Sequence, residues 1–179
     1  MAEVDVGMDA TSGVEAADGI EEAAPGSQQP DDKRACVVRL AFGGDEARFA
    51  HFCELVRARV PEANAAVLRG SAITGMRWKD GAPFDADGPG TSDLDLTLVG
   101  ADVLRYFSLD GYWVPGIHSR PLSDVDPDIA PELVPLRHTL MDMVGRPVNI
   151  QGTRDWVQYF RGELLGQPYL TLFGQIVEP

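Results

Sequence analysis

The sequence predicts an α/β (α+β) domain, a small mixed β-sheet flanked by helices behind an acidic N-terminal tail. Two patterns carry this prediction. Leu94, Leu96 and Leu98 alternate with Asp93, Asp95 and Thr97, the period of a strand with one apolar and one polar face. Phe49, Phe52, Cys53, Val56 and Val60 recur instead at helical spacing, the stripe of a helix that packs on a sheet. Strands and helices interleaved in this way argue for a mixed sheet covered by helices.

The elements follow in chain order. Residues 1–32 hold nine Asp or Glu and no Lys, Arg or aromatic residue. Such a segment buries too little apolar area to offset its ordering entropy. It reads as a disordered acidic tail over residues 1–33, with the domain spanning 34–179. Cys-Val-Val-Arg-Leu-Ala-Phe after Ala35 reads as a strand closed by Gly43-Gly44. The Phe49–Val60 stripe is the first helix, stopped by Pro61. Ala65–Leu68 reads as a strand that runs into Gly70-Ser71, and the Gly-, Pro- and Asp-rich stretch Met76–Gly90 as a loop.

After the Leu94–Leu98 strand, a second helix is expected over Pro131–Val144. Pro suits its first position, Leu133, Leu136, Leu140 and Met143 form its stripe, and Gly145 fits its C-cap. Val148 and Ile150 alternate with Asn149 and Gln151 in a short strand. Thr153 then caps a helix carrying Trp156, Val157, Phe160 and Leu164, which Gly166 ends. Tyr169–Val177 reads as a last strand or an extended tail.

Composition bounds the function. The 179 residues suit one domain with a sizeable core. The net charge of −13 comes mostly from the tail, because the rest of the chain sets 19 acidic against 15 basic side chains. No basic run interleaved with aromatics provides the electrostatic footprint of a nucleic-acid binder, so nucleic acid is not expected as a partner. No stretch is long and apolar enough for a membrane span, and no basic-then-apolar leader is seen. A cytoplasmic protein with no membrane partner is expected.

Several motifs fall away. Cys36 and Cys53 are too few for a disulfide framework, lack a His at zinc spacing, and read as small buried apolar residues. Gly70–Gly75 has Walker A glycine spacing, but Met76-Arg77 stands where Lys and Ser or Thr belong. Asp85–Asp93 resembles a calcium loop until its fifth place, Pro89, and its twelfth, Leu96. His51, His118 and His138 are isolated. Arg120, Arg137, Arg146, Arg154 and Arg161 read as surface residues.

What remains is one constellation. On a strand, Asp93 and Asp95 point the same way with Cα atoms about 6.5–7 Å apart, so both carboxylates can reach one metal or bracket two. Oxygen ligands of this kind suit magnesium, which is usually held by one or two carboxylates together with substrate phosphates. Gly70 permits close backbone approach, and Ser71 offers a hydroxyl and an N–H to phosphate oxygens.

Leu68-Arg69-Gly70-Ser71-Ala72-Ile73-Thr74-Gly75, a loop, and Ser92-Asp93-Leu94-Asp95-Leu96 together resemble the signature of the DNA polymerase beta-like nucleotidyltransferase superfamily. The resemblance covers residues 65–99 directly. It implies a minimal nucleotidyltransferase fold in which Gly70, Ser71 and Ser92 take the phosphates of a nucleoside triphosphate. Asp93 and Asp95 would be the catalytic carboxylates that hold magnesium, with manganese as the other candidate. Arg77 and Lys79, at the start of the long loop, would bring positive charge to the triphosphate.

The superfamily usually adds a third carboxylate from a neighbouring strand, and here the position falls on Asn149, which cannot act as a base, so either metal-bound hydroxide suffices, another acid such as Asp142 or Asp155 swings in, or catalysis is lost. Two readings therefore stand. One is transfer of a nucleoside monophosphate to a hydroxyl on a small-molecule or protein acceptor. The alternative is a catalytically degenerate domain that binds nucleotide or protein.

Overall fold

The computed structural model describes residues 30–179. The expected acidic tail lies outside them up to residue 29. Pro30–Lys33, assigned to it from sequence, are instead the first turn of helix α1, Pro30–Ala41. This helix also replaces the strand expected over Cys36–Phe42. The physical reason is visible in its ends and its stripe. Pro30 fits the first helical position, and Asp31 and Asp32 complement the helix dipole. Val37, Val38, Ala41 and Phe42 are all buried at helical spacing, and that burial overrides the strand preference of valine. Positive-φ Gly43 and Gly44 then turn the chain.

Helix α2, Glu46–Arg59, matches expectation. The Asp45 side chain caps it by accepting from the Arg48 N–H at 2.9 Å, and Phe49, Phe52 and Val56 are buried. Phe42 meets Phe49 and Phe52 edge-on, with centroids 5.2 and 5.4 Å apart. Strand β1, Ala65–Arg69, runs through a one-turn helix α3, Ser71–Thr74, into the loop. Strand β2, Leu94–Val99, follows.

The structure adds two short strands that carry no clear sequence signal, β3, Tyr112–Val114, and β4, His118–Ser119. Pro131–Leu133 forms a 3₁₀ turn leading into α4, Val134–Val144, which Gly145 ends in the left-handed conformation as expected. Strand β5 is Val148–Thr153 and strand β6 is Tyr169–Gly174. Thr153 ends β5 rather than capping a helix. The next helix, α5, Asp155–Tyr159, passes into a π-helical turn, Phe160–Leu164. Its predicted apolar stripe is not core, since Trp156, Phe160 and Leu164 are exposed and the buried residue is Gln158.

The sheet is mixed, in the order β3-β4-β5-β2-β1-β6, with β2 and β5 parallel and the other pairs antiparallel. Register separates its faces. Leu68, Leu94, Leu96, Leu98, Val148 and Ile150 are buried against the helical layer that includes α2 and α4. The opposite face carries Arg69, Asp95, Thr97, Asn149, Gln151 and Thr153. The α5 segment reaches this polar face, where Arg161 approaches His118 and the Tyr169 ring closes on Gly162. Among the described residues no helix is long and apolar enough to cross a membrane.

Candidate active site

The parallel β2–β5 pairing sets Asp95 directly beside Asn149. The strand expected from Val148 and Ile150 thus delivers its polar residue to the position inferred for the third acid. The Asn149 amide donates to Asp93 Oδ2 and to Asp95 Oδ1, the latter at 3.1 Å. One neutral donor therefore bridges two carboxylates that would otherwise repel each other. Each carboxylate keeps its second oxygen. Burial and the neighbouring Asp93 charge push the Asp95 carboxyl up, and the Asn149 bond and the charges of Arg69 and Arg161 pull it back.

Gly70 sits against this pair. Its φ of 78° is a conformation that L side chains rarely adopt, and a Cβ there would stand 2.8 Å from Asp95 Oδ2. Only glycine lets the Gly70-Ser71 turn and the carboxylate come this close. Gly75, again left-handed, closes the turn with its N–H on Ser71 O at 2.8 Å.

One cleft of about 510 Å³ is lined by Gly70, Ser71, Arg77, Lys79, Ser92, Asp93, Asp95 and Asn149. All eight residues singled out from the sequence therefore meet in one place, although 79 positions separate Gly70 from Asn149. Their states differ. Arg77 is held by Asp80 at 3.4 Å and by Asp87, so the loop's own acids neutralise the charge expected to face a triphosphate. Lys79 is exposed and forms no ion pair among the described residues. Ser92 is buried, and its hydroxyl accepts from the Asp85 N–H at 2.8 Å. Its role is to shape the approach to Asp93, with one hydroxyl proton left to donate.

Among the described residues no group of three His, Cys, Asp or Glu side chains is placed to hold a metal. Asp155 and Asp142 do not supply the missing acid. Asp155 accepts from the Asn64 amide at 3.0 Å, at the opposite end of β1 from Arg69, and Asp142 is an exposed residue of α4. Asp124 lines the cleft but binds Arg137 at 2.6 Å. The donor set is thus two carboxylates beside an amide, hard oxygen chemistry of the kind that suits magnesium or manganese when other oxygen ligands complete the shell.

Several contributors escape the sequence reading. Arg146, expected at the surface, is buried. Its guanidinium contacts Asp85 at 3.0 and 3.1 Å, donates to Ser92 O at 3.0 Å, and lies over the Phe84 ring. Asp85, with a left-handed φ of 59°, also accepts from the backbone N–H groups of Ser92 and Gly90. Burial would raise its carboxyl, but the Arg146 and backbone bonds outweigh that and hold it at about 2. This clip fixes the loop to the start of β2 and so aims Asp93. It also occupies the first acid of the calcium-like stretch. No local signal joins residues 61 positions apart.

Arg137, buried rather than exposed, donates to Val148 O at 2.7 Å and steadies the start of β5. Trp78, at the loop tip, is 97% exposed and lines the cleft. Cys36 and Cys53 are half-buried rather than buried, and burial pushes the Cys53 thiol up to about 11. No protein-family model, no curated protein and no solved structure matches the chain.

Proposed function

We propose that the chain transfers a nucleoside monophosphate from a nucleoside triphosphate to a hydroxyl group on an acceptor. The observation that carries this reading is the convergence of Gly70, Ser71, Asp93, Asp95 and Asn149 on one cleft, with Gly70 shaped to the Asp95 carboxylate. Phosphoryl-type transfer depends mostly on positioning and charge neutralisation. Ser71 and the Gly70 turn would hold the phosphates, and Lys79 would lie along them. Trp78 would stack on the base. Asp93 and Asp95 would hold magnesium or manganese, which supplies charge neutralisation for the triphosphate and a lowered pKa for the acceptor hydroxyl. The acceptor oxygen forms a bond to the α-phosphorus, the α–β bridging bond breaks, pyrophosphate departs, and the acceptor proton is released to solvent.

Equilibrium binding of the four ribonucleoside triphosphates, with magnesium and with EDTA, tests the site. Magnesium-dependent binding that Asp93→Ala/Asp95→Ala abolishes is the expected result. Unchanged binding in that double variant would refute the assignment.

The Asn149 bridge supports a second reading, a degenerate domain that binds nucleotide without turnover. A missing general base typically costs about 10²–10⁴ in rate. On this second reading, Asn149→Asp creates or sharply raises transfer. Transfer by the natural protein that Asn149→Asp does not raise would exclude it.

A further inference from the structure

The polar face of the sheet continues past Asp95 into a second cavity of about 330 Å³, within the size range of small-molecule sites. Arg69 enters it from the end of β1 and Arg161 from the π-helical turn. Their partners are few. Arg69 is half-buried, yet among the described residues it makes no hydrogen bond or ion pair. Arg161 donates to the Gln167 side chain at 3.0 Å and stands 3.5 Å from His118 Nε2, with no carboxylate bound to it.

Burial and the facing Arg161 charge bring Arg69 down to about 10, and Asp95 opposes them. Burial and both guanidiniums bring His118 down to about 4, so it is neutral at physiological pH. Two cations thus face one carboxylate, and the cavity holds excess positive charge in a chain that is otherwise acidic. Exposed arginines are usually solvated, but two half-buried guanidiniums that share a single facing carboxylate, Asp95, and bind no acid directly form a receptor for an anion.

The position of this cavity relative to the other cleft sets its role. Ser71, Ser92, Lys79 and Asp93 line the first cleft and not the second, while Gly70, Trp78 and Asp95 line both. Asp95 therefore stands between two compartments. In a displacement at phosphorus, the entering oxygen approaches opposite the leaving group. With the triphosphate on the Ser71 side, the entering oxygen comes from the Arg69 side.

We propose that the cavity floored by Arg69 and Arg161 receives the anionic group, a carboxylate or a phosphate, of a small acceptor whose hydroxyl is modified at Asp95. The acceptor role rests on the transfer reading above. The presence of an anion site there does not.

The test uses the full chain without nucleotide or magnesium. Inorganic phosphate is titrated while the Arg Nε–H signals and the Gly70 and Ser71 amide signals are followed by NMR. Saturating shifts at Arg69 and Arg161 are expected. Half-saturation should rise about tenfold in Arg69→Gln and in Arg161→Gln, and recover in part in Arg161→Lys. Asp95→Asn should tighten phosphate binding by removing a like charge.

Stationary Arg signals, with all shifts at Gly70 and Ser71, would overturn the proposal, as would unchanged affinity in Arg161→Gln. Absent nucleotidyl transfer with an intact Arg response removes the acceptor role and keeps the anion site, whereas transfer without an Arg response removes the anion site alone.

Discussion

Replacing Asn149 by Asp should make the stability of the site depend more steeply on pH and metal. The wild-type amide donates to both Asp93 and Asp95. Asn149→Asp removes both bonds and sets a third carboxylate against the pair. The penalty has a ceiling, because the cluster can take up a proton instead of tolerating three charges. From an unfolded Asp pKa of about 3.9, binding that proton at pH 7 costs about 4 kcal/mol. Once protonated, the introduced carboxyl restores only one donor, and losing the other bond costs about 1 kcal/mol more.

The loss is therefore bounded at about 5 kcal/mol at pH 7 in EDTA, which corresponds to about 10–20 °C in Tm for a domain of this size. The shared proton gives the folded cluster a raised pKa. Its stability is therefore present at low pH and lost as pH rises, and at pH 5 the proton cost falls to about 1.5 kcal/mol. Magnesium at about 100 times its dissociation constant should return about 2.7 kcal/mol. Thermal unfolding of both proteins at pH 5 and pH 7, in EDTA and in magnesium, reads all three effects. A variant as stable as wild type at pH 7 in EDTA would refute the bridging geometry.

The remaining predictions use the same logic. Trp78→Ala should weaken nucleotide binding about tenfold if its indole stacks on the base, since such stacking is worth about 1–3 kcal/mol; titration calorimetry would measure it. Gly70→Ala should abolish nucleotide binding, because its methyl group would meet Asp95 Oδ2 at 2.8 Å in a left-handed backbone; the same titration tests it. Arg146→Ala should lower stability by about 3–5 kcal/mol by leaving Asp85 unpaired, as read by urea unfolding. Asp85, held at about 2, has a depressed folded-state pKa. Its contribution should be full above about pH 4 and lost as pH falls towards about 2, a dependence that Asp85→Asn removes in acid unfolding.

The central pair is legible in the sequence for a simple reason. Period-two alternation puts Asp93 and Asp95 on one face, and the short strand around Ile150 puts Asn149 beside them. Local patterns suffice when neighbouring strands supply the site. Cys36–Phe42 misleads because its valines favour strands in isolation, while the helix is decided by Pro30, the acidic first turn and burial of Val37, Val38, Ala41 and Phe42. The Pro30-Asp31-Asp32 start is the available signal.

Arg69, Arg146 and Arg161 lie beyond local reasoning. Arg146 is bound by distant segments, and Arg69 and Arg161 converge from β1 and the π-helical turn; nothing nearby in sequence distinguishes a buried or convergent arginine from a solvated one. The stripe in α5 misleads for the opposite reason. Trp156 and Phe160 have helical spacing, but the segment lies on the polar face of the sheet and turns Gln158 inward.

The most direct test of the transfer chemistry is incubation of the purified protein with labelled nucleoside triphosphates and magnesium. Pyrophosphate release and label transfer are followed in the wild type and in Asp93→Ala/Asp95→Ala, with small hydroxy acids and phosphorylated alcohols offered as acceptors. The expected result is release that requires magnesium, requires both acids and rises with an anionic acceptor. Release that persists in the double variant, or none from the wild type with any acceptor or from Asn149→Asp, would contradict it.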